Sequence, residues 1–297
     1  MKNKPLISIV TVCLNRVDFI ERAVQSVLIQ NYEPYEHIII DGGSNDGTLD
    51  LLKKYSHLKV FSDKDNGVYD AMNKGITKAK GDFIGLLNSD DFYSNDCFSH
   101  IVEVNRTQAE IDIIVGNANI VHQSIDSELE IIRNIPSKVL QDPLNAATFS
   151  VPIPNAWFVK RHVFDKVGFF NQEFSLVADR DFLIRCWINN VNFYIDKMTF
   201  YNYLQHEGSL TISTDRIQRL KRIEQSISLS EKYMKADNSV LKTLCERWFI
   251  YLASEGIKTS IRLGKIDKIC HLFKKLIKQN PRWILKLIKE SLSNRRH

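Results

Sequence analysis

The chain has 297 residues, 44% hydrophobic and 25% charged, with only 12 Gly and 7 Pro. That balance suits one large globular domain with an appendage, or two domains, and excludes collagen-like and long disordered chains. Its net charge of +5 hides a split: residues 1–215 hold 20 basic and 28 acidic side chains, and residues 216–297 hold 20 and 7.

The five cysteines form no C-x-x-C pair. This argues against a disulfide framework or zinc cluster and for a reducing, cytoplasmic setting. The run from Leu6 to Leu14 is too short for a secretory segment and reads as a buried strand. No apolar stretch approaches the roughly 18–20 residues of a membrane span.

In chain order, residues 6–14, 37–41, 58–61 and 83–87 read as short apolar strands. Between them, helical spacing predicts helices over 18–29, 48–55 and 68–80. Strand–helix–strand alternation with apolar strands implies a parallel sheet covered on both faces. Further strands are expected at 111–115 and 118–122, and helices at 160–167 and 179–189. After Asp215 the chain turns helix-dominated and Lys-rich, which places a domain boundary near 215. His37 and His57 are read as surface or strand-edge residues.

Open α/β sheets bind ligands at the carboxyl ends of their strands. The residues to watch are therefore Asn15, Asp41 and Asn88–Asp91. The adjacent carboxylates of Asp90 and Asp91 repel unless a cation or donors compensate. A hard divalent cation is one solution and a solvated turn is the other. Asp41 ends its strand before GGSNDGT and needs donors, of which a nucleobase N–H is one. Asp46 and Thr48 read as helix-entry residues. Asp179-Arg180-Asp181 opens a helix, where capping, an ion pair or a general base all fit. Neither G-x-G-x-x-G nor G-x-x-x-x-G-K-[ST] is present, against dinucleotide oxidoreduction and P-loop chemistry.

Taken together, Pro5–Asn15, IIIDGGSNDGT, DNGVYDAMNKGI and AKGDFIGLLNSDD resemble the inverting family 2 glycosyltransferases of GT-A fold. The likeness is strongest to the bacterial branch that builds capsular polysaccharide, exopolysaccharide and lipopolysaccharide side chains. Pro154–Phe158 resembles the family's acceptor-side segment, Phe174–Arg185 its base segment, and His206–Leu210 the segment closing over the donor phosphates. The resemblance spans roughly residues 5–215.

It implies a Rossmann-like, mostly parallel α/β sheet flanked by helices (residues 1–215), with a basic α-helical extension over 216–297. It implies transfer of one sugar from a nucleotide-sugar donor, most often a UDP-sugar, to a saccharide or lipid-linked saccharide acceptor. Asp41 would accept the nucleobase imide, with Thr11, Asn66 and Asn73 around the same pocket and Asn88 on the ribose. Asp90, with Asp91 and His206, would hold Mn²⁺ or Mg²⁺. Asp179 would be the general base, and Asn155, Trp157 and Asp181 would face the acceptor. Trp157, Phe158, Phe169 and Phe170 are weighed as sugar-stacking rings against core residues.

Three departures from the family pattern stand out. Asn88 replaces a frequent Asp, Ala178 a frequent Glu before the base, and Asn202 a frequent Arg before the closing His. The Q-x-x-R-W motif of processive polymerases is absent.

The basic tail pairs Leu, Ile, Phe and Trp with Lys at helical spacing. Contact with an anionic membrane at the inner face of the cell membrane is weighed against packing on the catalytic body. Nucleic-acid binding is disfavoured for want of a motif. Two other functions stay in view. One is a sugar-nucleotide nucleotidyltransferase, against which CLNRVDF lacks a Gly-rich basic loop. The other is a non-catalytic scaffold, against which the aspartates stand.

Overall fold

The first strand, β1 (Ile7–Cys13), is buried at every position. A strand covered on both faces must be apolar throughout, which explains why ISIVTVC shows little alternation. The computed structural model describes residues 4–108, 110–123, 128–150, 153–206 and 215–279. In it β2 (Tyr35–Asp41) and β4 (Phe83–Asn88) flank β1 in parallel, and β3 (Leu58–Ser62) adds beyond β2. β3 departs from the expected two-sided cover: it is an edge strand with Val60 and Phe61 exposed. Lys78 lies over the Phe61 ring, 4.1 Å from its centroid.

Register sets the level of the site. Cys13 pairs with Asp41, Asp41 with Ser62, and Val12 with Asn88. Four strands therefore end on one crest, and the aspartate and asparagine sit at its rim.

Helix α1 (Ile20–Leu28) buries Ile20, Ala23, Val24 and Val27, the i, i+3, i+4, i+7 stripe of an amphipathic helix. After α2 (Thr48–Leu52), α3 (Val68–Lys78) lies flush on the sheet. A β-carbon on Gly75 would stand 2.2 Å from Val10 Cγ1, so only glycine allows this approach.

The second half of the unit contains β5 (Phe92–Tyr93), α4 (Cys97–Thr107), β6 (Ile113–Gln123), β7 (Leu129–Ile135) and α5 (Pro143–Phe149). It continues with β8 (Trp157–Lys160), α6 (Arg161–Val167), α7 (Ala178–Ile188) and β9 (Phe193–Gln205). The sheet order is β3-β2-β1-β4-β8-β6-β9-β5, with β7 on β6. β8 enters antiparallel between β4 and β6, whereas β6 and β9 run parallel. The two strands expected at 111–115 and 118–122 are one strand, β6. It shifts register between Val115 and Asn117, where the Phe200 ring lies against Gly116.

His37 is not at the surface. It is fully buried in β2, with Nε2 2.8 Å from Thr11 Oγ1.

The chain divides into two compact units, Met1–Ile212 and Ser213–His297. In the second, α8 (Arg216–Tyr233), α9 (Ser239–Arg262) and α10 (Ile266–Gln279) bury a core of their own, including Leu220, Ile227, Trp248, Phe249, Leu272 and Leu276. Asp215 and Asn238 cap α8 and α9 by accepting from Ile217 N and Leu241 N. Lys268 and Lys275 pair with Glu224 and Glu231 of α8. Among the described residues no helix is long and apolar enough to cross a membrane.

Candidate active site

The crest loops are laced by short polar side chains. Asn15 N–H donates to Ser44 Oγ, and Asn15 Oδ1 accepts from Asn45 N–H. Asp46 accepts from Val17 N–H and from Thr48, whose Oγ1 accepts from Arg16 N–H. Asp46 and Thr48 thus lace the loop before α2, whose N-cap is Gly47 and receives no side-chain cap.

Asp41 is fully buried at the end of β2. Its Oδ2 accepts from Gly43 N–H and Ser44 N–H, each at 3.0 Å, and from Ser62 Oγ at 2.6 Å. Its Oδ1 accepts from Ser44 Oγ and, at 3.6 Å, from Cys13 Sγ. Burial alone would raise this carboxyl, but the donors from Ser44, Ser62 and Gly43 outweigh it and hold it below the usual range. The protein itself thus supplies the donors that Asp41 needs.

The two carboxylates after β4 point different ways. β5 pairs Phe92 with Asn202 and Tyr93 with Tyr201, and this draws the Asp90–Asp91 turn against the end of β9. Asp91 is buried and accepts from Tyr201 Oη at 2.8 Å, Asn88 Nδ2 at 3.0 Å and Leu204 N–H at 3.0 Å. Burial, reinforced by the Asp90 charge, pushes its carboxyl up to about 8. Asp91 therefore ties the turn to β9 from inside the protein, and the structure does not present it as a metal ligand. Asp90 is partly open, with Oδ2 3.0 Å from His206 Nε2. The His206 ring stacks on Phe19 at 4.4 Å. Residues 207–210 of the expected closing segment lie outside the described residues.

Asp90 and His206 fit a Mg²⁺- or Mn²⁺-type ion. Such ions commonly take one or two protein groups and complete their shell with water and substrate phosphates. Among the described residues no cluster of three or more His, Cys, Asp or Glu forms an all-protein cage.

Asp179 opens α7 and is partly buried. Burial raises its carboxyl above the ordinary range, against the opposing charge and N–H of Arg180 and the hydroxyl of Tyr69. Arg180 N–H donates to its Oδ1 at 2.9 Å. The buried Tyr203 phenol lies in the field of both Asp91 and Asp179. The start of α7 and the Asp90–Asp91 turn thus both act on one buried side chain. Asp181 does not face an acceptor: it is fully buried and paired with Arg185 Nε at 2.7 Å.

Several other expected site residues turn inward. Thr11 is fully buried on His37. Asn73 exchanges two hydrogen bonds with the Phe170 backbone, at 2.8 and 3.0 Å, and so holds that segment on α3. Asn155 is buried and accepts from Tyr203 Oη at 3.3 Å. Trp157, Phe158 and Phe170 are core residues, while Phe169 is exposed. Asn66 remains exposed, with its N–H on Asp70. Asn202 is buried against Asn119 and Ser94.

Sequence reading assigned no role to Tyr69, Tyr201 or Ser62. Tyr69 sits inside the quoted DNGVYDAMNKGI run, and Ser62 at a strand end level with Asp41, so both had a positional signal. Tyr201 had none, because its role depends on β9 pairing with β5.

A sheet crest carrying these groups is that of a GT-A glycosyltransferase. The glycosyl transferase family 2 model matches residues 8–168, and the chain belongs to that family and is a glycosyltransferase. It is 27% identical over 200 residues to a PGL/p-HBAD biosynthesis glycosyltransferase of Mycobacterium bovis, spanning 62% of this chain and 71% of that one. It is 38% identical over 98 residues to a candidate teichuronic acid biosynthesis glycosyltransferase of Bacillus subtilis, TuaG, spanning 31% and 39%. In fold it is similar to S. aureus TarS residues 1–349 in complex with UDP-GlcNAc. The TM-score there is 0.69 at 17% identity, covering 92% of this chain and 81% of that one.

Proposed function

We propose that the protein transfers a single sugar, with inversion, from a nucleotide-sugar donor (a UDP-sugar first) to a hydroxyl of a saccharide or lipid-linked saccharide in cell-surface polysaccharide synthesis. The observations that carry this reading are the partly open Asp90–His206 pair after β4 and the raised Asp179 carboxyl at the start of α7, with the buried Tyr203 phenol in the field of both Asp91 and Asp179. The UDP-GlcNAc complex of TarS supports the donor, and the teichuronic acid relative supports the pathway.

Asp179 is the general base. As the acceptor oxygen attacks the anomeric carbon, its proton passes to the Asp179 carboxylate. The bond from that carbon to the phosphate oxygen breaks, and the electron pair leaves with the nucleoside diphosphate. A carboxyl raised by burial is a better base than a solvated one, and base catalysis of this kind is worth about 10²–10⁴-fold. Tyr69 and Arg180 N–H orient the carboxylate. Asp90 and His206 would hold Mn²⁺ or Mg²⁺, which supplies charge neutralisation at the leaving diphosphate.

Calorimetric titration with UDP, GDP and dTDP, each with and without Mn²⁺, tests the donor half. Manganese-dependent binding of one nucleotide, lost in Asp90→Asn, is expected. Folded protein that binds none of the three would sink the reading and favour the scaffold alternative.

The helical unit is proposed to touch anionic membrane. Its +13 net charge over 216–297 and the exposed Ile266 and Ile277 beside Lys274 and Lys278 support this. Co-sedimentation of the full chain with phosphatidylglycerol vesicles, weakened in Ile266→Glu/Ile277→Glu, is the expected result.

A further inference from the structure

Beside Asp90 the first unit holds a cleft of about 340 Å³, lined by residues that include Phe19, Arg22, Gln123 and Leu204. Arg22 is the cation in its wall. One edge of its guanidinium is fixed: Nη2 donates to Gln123 Oε1 at 2.8 Å, and Cζ lies 5.8 Å from the Phe92 ring centroid. The other edge is not satisfied. Nη1 is buried and has no hydrogen-bond partner.

Arginine stays charged at any working pH and offers a rigid fork of donors. A buried guanidinium nitrogen without an acceptor is a costly state, so such sites are usually completed by a ligand or counter-ion. Among the described residues no carboxylate pairs with Arg22, although Asp18 and Glu21 also line the cleft. Glu21 instead accepts from Tyr55 Oη at 2.6 Å. Arg22 thus lines the cleft next to Asp90, and its Nη1 has no acceptor from the protein.

We infer that Arg22, held by Gln123, binds a phosphate oxygen of the nucleoside diphosphate in this cleft. This rests on the donor reading above and adds a residue to it. Arg22 here is a binding residue, and Gln123 positions it. The carboxylates in the same wall make the cleft inhospitable to an anion without that guanidinium.

The test is calorimetric binding of UDP, UMP and uridine, with Mn²⁺, to the full chain and to Arg22→Met, Arg22→Lys and Gln123→Leu. A charge-assisted hydrogen bond of this kind predicts that Arg22→Met lowers UDP affinity about 10- to 100-fold. Uridine affinity should move less than about threefold, and Arg22→Lys should recover part of the loss. Gln123→Leu, which frees the fork without removing its charge, should weaken UDP by a smaller factor. Equal UDP affinity in wild type and Arg22→Met overturns the inference and leaves the donor reading intact. So does a uridine loss as large as the UDP loss, which marks a structural role. A wild-type chain that binds none of UDP, GDP and dTDP overturns the donor reading, and this inference with it.

Discussion

Asp179 and Asp181 stand two residues apart on α7 and face opposite environments. The first is partly open beside Tyr69, and the second is fully buried on Arg185. Two steps along a helix turn a side chain by about 200°, so the pair cannot share a cleft. The DRD triplet therefore splits into one residue proposed for chemistry and one for the fold. Arg185 extends the structural half by donating to the carbonyls of Val167, Gly168 and Phe169.

The split predicts opposite phenotypes. Asp181→Ala leaves the partly buried Arg185 guanidinium without its carboxylate and should cost up to about 3 kcal/mol of stability, read by urea denaturation. Asp179→Asn should stay within about 1 kcal/mol of wild type, as most partly exposed substitutions do. Its turnover should fall about 10²–10⁴-fold with donor affinity unchanged. If Asp179→Asn turned over normally, Asp179 would not be the base.

A pH profile separates base from bystander. The proposed base works as the carboxylate, so kcat/KM should fall on the acid side, below a carboxyl value that burial has raised. The Tyr69 hydroxyl favours the charged form. Tyr69→Phe should therefore raise that value further and move the acid limb to higher pH. The ring contact of Tyr69 with Phe170, 5.3 Å between centroids, survives in the variant. An acid limb that stays put or moves to lower pH would show that the hydroxyl does not act on the base.

Much of this frame was legible before the structure. β1, β2, β4, α1 and α7 announce themselves by apolar runs or helical spacing, and the strand-end rule points to Asp41 and Asp90. Direction was not legible. Whether Asp90 or Asp91 faces out depends on how β5 zips against β9, a pairing over more than a hundred residues of sequence. β9 hid because FYIDKMTFYNYLQ alternates poorly, and its phenols at Tyr201 and Tyr203 serve as buried donors rather than a polar face. The unbroken β6 hid because Gly116, which reads as a break, is where the Phe200 ring needs room.

Gly75 offers a test of how α3 is seated. Alanine is the better helix former by about 1 kcal/mol, so an unconstrained glycine would gain stability on replacement. Here the new methyl would lie 2.2 Å from Val10 Cγ1 and 3.1 Å from Ile40 Cγ1. Overpacking of that kind typically costs about 1–3 kcal/mol. Gly75→Ala should therefore lower the denaturation midpoint. Because α3 also carries Tyr69, it should reduce activity as well. A raised midpoint would mean that α3 sits farther from β1 than described.

His37 predicts a specific acid sensitivity. It is fully buried, and burial, with His57 nearby, pulls its ring from the ordinary 6.5 down to about 3. The folded chain thus keeps His37 neutral where the unfolded chain protonates it. The stability this contributes is complete above about pH 6.5 and is lost progressively as pH falls toward 3. The slope is at most one proton, about 1.4 kcal/mol per pH unit. Between pH 7 and pH 5 the share of His37 is therefore up to about 2 kcal/mol. His37→Gln keeps a hydrogen-bonding group near Thr11 and does not titrate. Urea denaturation at the two pH values should show the wild type losing more stability than the variant by up to that amount. Equal losses would place a charged, solvated imidazole where the fold shows a neutral one.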